Sequence, residues 1–297
     1  MADTTPTPWR ERWESGDVTL LLGDCLEVMP TLGKVDAVVT SPPYAMQRTG
    51  CYQSIDERRY HFWTAQWCSA VPLGETASIL INIRENVKNG ELSDYVHQTR
   101  LELRRCGFIE HDELIWIKPG APPVGHAEWP RRSWERILWF SGGRHPACFP
   151  KANGQESDRI GFPKSQVGIG GAEWITGYSE GLLSGVSRCR DYVEINLGEH
   201  TQTGHPAAFP VPLAEWLINL FSSPPGLILD PFMGSGTTGV ACVRLGRRFV
   251  GIEIKEKYYN IAKRRIAEAQ ADVRDTLPGF RAQEIQQDMI PTERRDP

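Results

Sequence analysis

The sequence predicts an α/β fold built on an open sheet with helices on both faces. Short apolar runs alternate with segments of helical length along most of the chain, which is the rhythm of such a sheet. One of these runs ends in a glycine-rich turn that leads straight into a helical segment. At 297 residues and 33.4 kDa, the chain can bury one large core plus an elaboration.

The predicted elements follow one another in a regular order. Each predicted strand is a short apolar run, and each predicted helix lies between two such runs. They are strands at 18–22 and 36–40, a helix at 60–70, a strand at 77–83, a helix at 93–106, strands at 109–117 and 136–140, a strand at 227–230, a helix at 237–246 and a strand at 248–254. Apart from its one apolar run, the interval 119–204 is rich in glycine, which indicates a loop-rich insertion at the sheet edge.

The segment Ser41-Pro42-Pro43-Tyr44 follows the strand at 36–40 directly. Proline lacks the ladder N–H and fixes φ, so two adjacent prolines must take the chain stiffly out of the sheet. The carbonyls of Ser41 and Pro42 are thereby freed from strand pairing, and Tyr44 offers a flat apolar face nearby. Such a cradle suits an amino group on an aromatic ring. A rigid turn without a ligand is the alternative interpretation.

A second motif follows the strand at 227–230, where the chain turns through several glycines into a helix. Glycines let the backbone approach a ligand closely, and a helix N-terminus offers unpaired N–H groups. The next strand reaches Glu253, whose carboxylate suits the two hydroxyls of a ribose. Gly234, Gly236 and Gly239 also satisfy the dinucleotide fingerprint, so an NAD-dependent oxidoreductase has to be considered. The acidic start of the turn at Asp230 is not part of that fingerprint, and nothing nearby resembles a hydride-transfer site. A glycine turn that serves packing alone is a further alternative.

Together the two motifs resemble those of amino-methylating DNA methyltransferases of the circularly permuted beta group, which use S-adenosylmethionine. The resemblance implies a Rossmann-like sheet in which the catalytic half precedes the cofactor half, with an inserted target-recognition region. The corresponding division is a catalytic half at 1–118, its last strand with the target-recognition insertion at 119–204, and a cofactor-binding half at 205–270. The segment 271–297 has few apolar residues, which indicates a mobile tail.

The resemblance also assigns residues to roles. The catalytic motif is Ser41, Pro42, Pro43 and Tyr44, and its serine version is typical of enzymes that methylate cytosine N4, whereas adenine-N6 enzymes more often carry aspartate or asparagine. Among the cofactor residues, Asp24 corresponds to the acid that contacts the adenine amino group and Glu253 to the acid that binds the ribose. The full cofactor set is Asp24, Thr40, His205, Pro206, Asp230, Pro231, Phe232, Gly234, Ser235, Gly236, Thr237, Thr238 and Glu253.

The chemistry of an exocyclic amine predicts how such a site would work. The lone pair of cytosine N4 is delocalised into the ring until hydrogen-bond acceptors draw the amine toward a tetrahedral geometry. We expect the Ser41 hydroxyl and the Pro42 carbonyl to be those acceptors and Tyr44 to stack on the base. Methyl transfer would then be direct, without a covalent enzyme intermediate. Because a base inside a duplex cannot reach this cradle, the target has to be flipped out.

Target recognition is expected in the insertion, because the resembling family reads its sequence between the two halves. Arg131, Arg132, Arg188 and Arg190 are the predicted contacts to phosphate or guanine, since loops place them free of the core. A solvated surface role is the alternative for each of them. The predicted partner is double-stranded DNA, although the formal net charge of −4 requires the basic residues to be concentrated on one face.

Composition adds several expectations. The chain has no long apolar stretch and no signal peptide, so we expect a cytoplasmic protein without a membrane partner. Its seven cysteines include no C-x-x-C pair, which predicts reduced thiols and no metal.

Adenine N6 in DNA or RNA remains the nearest alternative target of the enzyme. A non-catalytic DNA-binding module is a further alternative function. The recognition site, a cognate restriction endonuclease as partner and the oligomeric state are not revealed by the sequence.

Overall fold

The computed structural model describes residues 7–45, 55–121, 129–154, 166–167, 173–174, 186–196 and 209–276. The strands are β1 (Trp9–Ser15), β2 (Val18–Gly23), β3 (Val35–Thr40), β4 (Leu73–Ile83), β5 (Val87–Lys88), β6 (Glu91–Leu92), β7 (Ile109–Ile117), β8 (Trp134–Ser141), β9 (Gln166–Val167), β10 (Glu173–Trp174), β11 (Tyr192–Glu194), β12 (Leu227–Asp230) and β13 (Arg248–Glu253). The helices are α1 (Cys25–Val28), α2 (Glu57–Ala70), α3 (Tyr95–Arg105), α4 (Val211–Phe221), α5 (Thr237–Arg244) and α6 (Glu256–Thr276), with a short 3-10 turn at Met29–Thr31.

One large sheet organises the molecule, with the strand order β1-β2-β13-β12-β3-β4-β8-β7-β11. The central neighbours β2, β13, β12, β3 and β4 are parallel to one another. β8 lies antiparallel between β4 and β7. At the edges, β1 is antiparallel to β2 and β11 is parallel to β7. The short strands pair with each other, β5 with β6 and β9 with β10.

Both faces of this sheet are covered by helices. In β2, Leu20 and Leu22 belong to the apolar cluster that contains residues of α4, α5 and α6, whereas Leu21 belongs to the cluster on the opposite side, which contains residues of α1, α2 and α3. Side chains alternate between the two faces of a strand, so a strand that is apolar throughout can contribute to both cores. The predicted α/β sheet with helices on both faces is confirmed. Within the described ranges, no helix is both long enough and apolar enough to cross a bilayer.

The predicted elements all occur, with ends shifted by at most a few residues, but the helices α1, α4 and α6, the two edge strands and the two-residue strands were not predicted. In β1, half-buried residues alternate with exposed ones, so no apolar run marks this strand. β11 has only three residues within the insertion. The expected start of the tail at 271 falls inside α6, because the polar, exposed last turns of this helix have the composition of a tail. The segment 277–297 lies outside the described residues.

Candidate active site

The candidate site lies where the chain leaves two neighbouring parallel strands, β3 and β12. After β12 the chain continues into α5 on one face of the sheet, and after β3 it continues toward α2 on the other. A crevice at the carboxyl ends of such a strand pair is the usual binding place in an open α/β sheet. The ends are joined here by a hydrogen bond, because the Thr40 hydroxyl donates to Oδ1 of Asp230 at 2.7 Å.

Asp230 organises the turn that follows β12. Its side chain is buried and also accepts hydrogen bonds from the backbone N–H of Phe232 at 3.1 Å and from the Thr238 hydroxyl at 2.7 Å. Burial raises the pKa of the Asp230 carboxyl to about 6, although the hydrogen bonds that it accepts lower this pKa. One carboxylate therefore ties the start of α5, the turn and the end of β3 together.

The glycines of the turn have separate structural reasons. Gly234 and Gly236 adopt φ values of +50° and +80°, in the left-handed region that favours glycine. Gly236 is also the N-cap of α5. Gly239 lies inside α5, where a Cβ atom would meet Phe249 at 2.7 Å and would collide with Ile266. The third glycine thus permits close packing of helix and strand, while the first two shape the turn.

Glu253 ends β13 beside this turn and is only 3% exposed. Its carboxylate accepts hydrogen bonds from the backbone N–H of Gly234 at 3.0 Å and of Lys255 at 2.8 Å. Burial is the main cause that raises its pKa to about 7. Asp24 follows the neighbouring strand β2 and caps α1 by accepting from the N–H of Leu26 at 2.9 Å. Three acids consequently lie at the carboxyl ends of adjacent strands.

Two contacts that the sequence did not predict hold the turn in place. Arg265 on α6 donates to the Ser235 carbonyl at 2.6 Å and to its hydroxyl at 3.1 Å. On the other side, the Phe232 ring packs against Trp63 and Trp67 of α2, with ring centroids 5.2 and 5.3 Å apart. No local motif distinguishes these side chains, because each acts from a distant helix.

The Ser41–Tyr44 segment leaves the sheet immediately after β3, as the two prolines require. Pro42 is buried, and Ser41 and Tyr44 are half-buried. The Tyr44 hydroxyl donates to Oε2 of Glu135 on β8 at 3.0 Å, and the Asn82 amide lies 3.2 Å from the same hydroxyl oxygen. Burial, and then the Glu135 carboxylate, raise the pKa of Tyr44 well above its ordinary value.

The sequence also did not predict Asn82 and Glu135 as members of this site. Asn82 is a polar residue inside the buried run of β4, which was a usable signal. Glu135 lies in the loop-rich interval, and nothing in its sequence context distinguishes it from the other acids there.

The predicted arginines lie in two places, one pair just before β8 and the other just before β11. Arg131 is exposed and donates to the Pro119 carbonyl at 3.3 Å. Arg132 is not free of the core as expected, because it is half-buried, donates to the Glu85 carbonyl at 2.9 Å and pairs with the Glu85 carboxylate at 3.6 Å. This pair precedes β8, whose first residue pairs with the carboxyl end of β7. It therefore lies on the same edge of the sheet as the crevice.

Arg188 and Arg190 are exposed and precede β11. The Arg190 guanidinium lies over the Tyr192 ring at 5.3 Å from its centroid. Since Tyr192 pairs with Ile115 in parallel register, residues before it extend toward the amino-terminal half of β7. The registers of β8 and β11 on β7 thus place the two arginine pairs toward opposite ends of that strand. His205 and Pro206 of the predicted cofactor set lie outside the described residues.

Comparison with known proteins decides the family. The model of a DNA methylase family that comprises N6 and N4 methyltransferases matches residues 35–264 of this chain. The chain belongs to this family. It is similar to the type II methyltransferase M.ScaI of Streptomyces caespitosus, at 30% identity over 287 residues, covering 91% of this chain and 88% of the relative. M.PvuII of Proteus hauseri is 24% identical over 274 residues, covering 81% of each chain.

Solved structures share the fold of this methyltransferase. PvuII DNA methyltransferase (cytosine-N4-specific) has a TM-score of 0.65 at 19% identity, covering 90% of this chain and 96% of that one. A putative DNA modification methylase from Thermus thermophilus, complexed with S-adenosyl-L-methionine, has a TM-score of 0.56 at 26% identity, covering 88% and 96%. The predicted family, Rossmann-like fold and S-adenosylmethionine cofactor are confirmed, and the NAD-dependent oxidoreductase is set aside.

The residues at the crevice fit this cofactor. Buried carboxylates are acceptors for ribose hydroxyls and for an amino group, and they favour a cationic ligand such as a sulfonium. The left-handed glycines allow close approach of the backbone. The Ser41–Tyr44 segment precedes this turn in the chain but meets it in space through the Thr40–Asp230 hydrogen bond.

Proposed function

We propose that this DNA methyltransferase transfers a methyl group to the exocyclic N4 of cytosine at a specific site in double-stranded DNA. The supporting observation is the placement of Ser41-Pro42-Pro43-Tyr44 at the end of β3, one hydrogen bond away from the glycine turn. Two relatives are type II methyltransferases, and the PvuII neighbour is described as cytosine-N4-specific. A serine rather than an acid at position 41 favours cytosine.

We assign the cofactor contacts to the acids at the strand ends and to the turn. Glu253 would accept from the ribose hydroxyls, Asp24 from the adenine amino group, and the turn after Asp230 would hold the methionine end. We also assign His205 and Pro206 to the cofactor site, and we propose that the segment 205–270 is the cofactor-binding half of the enzyme. When bound, the cofactor supplies an electrophilic methyl group on a sulfonium.

The protein's own part in the reaction is to shape and orient the target amine. The Ser41 hydroxyl oxygen and the Pro42 carbonyl oxygen accept hydrogen bonds from the two N–H groups of the amine, which localises the nitrogen lone pair and directs it toward the methyl group. Pro43 restricts the backbone of this cradle, and Tyr44 stacks on the flipped base. The methylated amine then loses a proton to water or to the same acceptors. A serine hydroxyl needs no ionisation for this role.

Adenine N6 is the second candidate target, because the family includes enzymes of both types and the same neutral acceptors could serve an adenine amine. Both reactions require a flipped base, which costs a few kcal/mol offset by stacking and phosphate contacts. The arginines that precede β8 and β11 are the proposed phosphate and base contacts.

Nucleoside analysis separates the candidates. DNA is methylated with a cofactor that carries an isotopic label in the methyl group, and the digested nucleosides are identified by mass spectrometry. We expect label on N4-methyldeoxycytidine. Label on deoxyadenosine alone would refute the cytosine assignment, and label on cytosine C5 would refute the direct mechanism.

Two variants test the residue roles. Ser41→Ala should lower kcat more than it weakens DNA binding, because the acceptor matters most as the amine becomes tetrahedral. Tyr44→Ala should remove a stacking contact worth on the order of 1–3 kcal/mol while cofactor affinity stays near wild type. Equal loss of cofactor affinity in both variants would instead indicate a misfolded crevice.

A further inference from the structure

A buried polar network lies behind Tyr44, centred on the carboxylate of Glu135. Oε2 of Glu135 accepts from the Tyr44 hydroxyl and from the Asn82 amide, each at 3.0 Å. Its Oε1 accepts from the ammonium group of Lys118. One carboxylate thus receives donors from the loop after β3, from the end of β4 and from the residue after β7.

The network is buried and carries charge. Asn82 and Lys118 are 3% and 4% exposed, and the side chain of Glu135 is 12% exposed. Burial lowers the pKa of Lys118, against the opposing effect of Glu135. Buried ion pairs are often replaceable by apolar residues without loss of stability, so they are weak as stabilising devices. What such a pair does supply is a defined geometry for the groups that it contacts.

The contacts of Asn82 define that geometry further. Its amide nitrogen donates to both Glu135 and the Tyr44 oxygen, so the two groups share one donor. The Asn82 Oδ1 atom is buried without a hydrogen-bond partner among the described residues. The Asn82 amide is therefore held in this orientation by its donor contacts, and the Tyr44 hydroxyl oxygen is contacted by both Glu135 and Asn82.

We propose that Glu135 is a positioning residue, which, with Asn82 and Lys118, locks the Tyr44 ring as the platform for the flipped base. This inference rests on the proposed stacking role of Tyr44. A phenylalanine would supply the same apolar face without this anchor. The tyrosine hydroxyl ties the Ser41–Tyr44 segment to β8, which lies 91 residues away in the chain. Holding the ring fixes the distance between the target amine and its acceptors.

A double-mutant cycle tests the proposal with Tyr44→Phe, Glu135→Gln and the combined variant. Single-turnover methylation measures the chemical step, while calorimetry with the cofactor and a DNA-binding assay measure the two affinities. We expect each single variant to slow methylation by about tenfold, the value of one charge-assisted hydrogen bond. The combined variant should be no slower than the slower single variant, because both act on the same contact: Tyr44→Phe removes its donor, and Glu135→Gln removes the charge of its acceptor. Cofactor affinity should remain within about twofold of wild type.

The control is Glu113→Gln on β7, whose carboxylate pairs with Arg100 at 2.8 Å and with Arg136 at 3.1 Å. It removes a comparably paired charge without a hydrogen bond to Tyr44, and we expect the wild-type rate. Glu135→Gln leaves Lys118 without its counter-charge and could fail to fold. In that case Tyr44→Phe, which keeps the ring and removes only the hydroxyl with its contacts to Glu135 and Asn82, tests whether the ring needs this anchor at all.

A Tyr44→Phe rate within twofold of wild type, or strictly additive effects in the cycle, would overturn the positioning role. A loss of methylation rate between twofold and tenfold supports the positioning role only if the effects of the two single variants are non-additive. If those effects add, the same loss contradicts the role. The target base itself is read from the product of the wild-type enzyme. An adenine product would therefore refute the proposed function. The positioning role would still be tested by the methylation rates of the variants relative to wild type.

Discussion

Lowering the pH from 8 to 6 should weaken cofactor binding, and Glu253 is the group responsible. Burial raises the pKa of this carboxyl to about 7 in the cofactor-free protein, and it already accepts from the N–H groups of Gly234 and Lys255. Ribose hydroxyls donate most strongly to the ionised carboxylate. Binding should consequently require Glu253 to be deprotonated.

The size of the effect follows from the pKa. At pH 6, one unit below a pKa of about 7, roughly one molecule in eleven has the carboxyl ionised, whereas at pH 8 nearly all have. Cofactor affinity should therefore fall about tenfold, or about 1.4 kcal/mol, between pH 8 and pH 6. Near pH 6, binding should release close to one proton.

The stability of the cofactor-free protein should change in the opposite direction. A carboxyl with a raised pKa in the folded state favours folding when it is protonated. Its contribution is full below the ordinary pKa of 4.5 and is lost as the pH rises through about 7. The loss amounts to about 3 kcal/mol, by the conversion of pKa units to free energy. Asp230, with a pKa raised to about 6, acts in the same sense at lower pH.

Calorimetric titration with S-adenosylmethionine in buffers of different ionisation enthalpy measures affinity and proton release together. In Glu253→Gln the pH dependence between 6 and 8 that is due to this carboxyl should disappear, which leaves only the smaller change from Asp230 near pH 6, and affinity at pH 8 should fall by about 1.5–3 kcal/mol through loss of charged hydrogen bonds. Urea denaturation of both proteins without cofactor checks the stability trend and folding. A wild-type affinity that is flat from pH 6 to 8, or proton release that is undiminished in the folded Gln variant, would refute the reasoning.

Three further predictions concern the turn and the DNA contacts. Gly239→Ala should lower the free energy of unfolding by about 1–3 kcal/mol, because the added methyl group overpacks the contact between α5 and its neighbours. The control is Gly33→Ala, whose methyl group would meet no atom within 4 Å and should change this free energy little. Equal urea midpoints for the two variants would contradict the prediction. Asp230→Asn should reduce cofactor affinity by at least about 1 kcal/mol in calorimetry, because an amide oxygen cannot replace both carboxylate oxygens; unchanged affinity would show that the turn needs no anchor there. Joint replacement of Arg188 and Arg190 by alanine should lower DNA affinity or relax site choice without affecting cofactor binding, and an unchanged rate and site preference would place the contacts elsewhere.

Local sequence features were sufficient wherever a single segment determines its own conformation. Pro42 and Pro43 end β3 because they cannot pair as strand residues, and Gly234 and Gly236 allow the left-handed turn before α5. The apolar runs of the central strands reveal a sheet that is buried on both faces, because such strands need no polar side. The order of the two motifs along the chain is likewise a property of the sequence, and it supported the permuted family before any fold was known.

Tertiary structure alone decided which distant groups complete the site. The hydrogen bond from Thr40 to Asp230 spans 190 positions, and the one from Tyr44 to Glu135 spans 91, so neither follows from residue type or spacing. β1 and β11 carry no apolar run because an edge strand has only one strand neighbour and remains partly exposed. The raised pKa of Glu253 has the same origin, since an acid at the end of an apolar strand becomes buried only when the glycine turn packs over it. Residue types determine which side chains can form a hydrogen bond or ion pair. The order of the strands in the sheet determines which of these side chains come into contact.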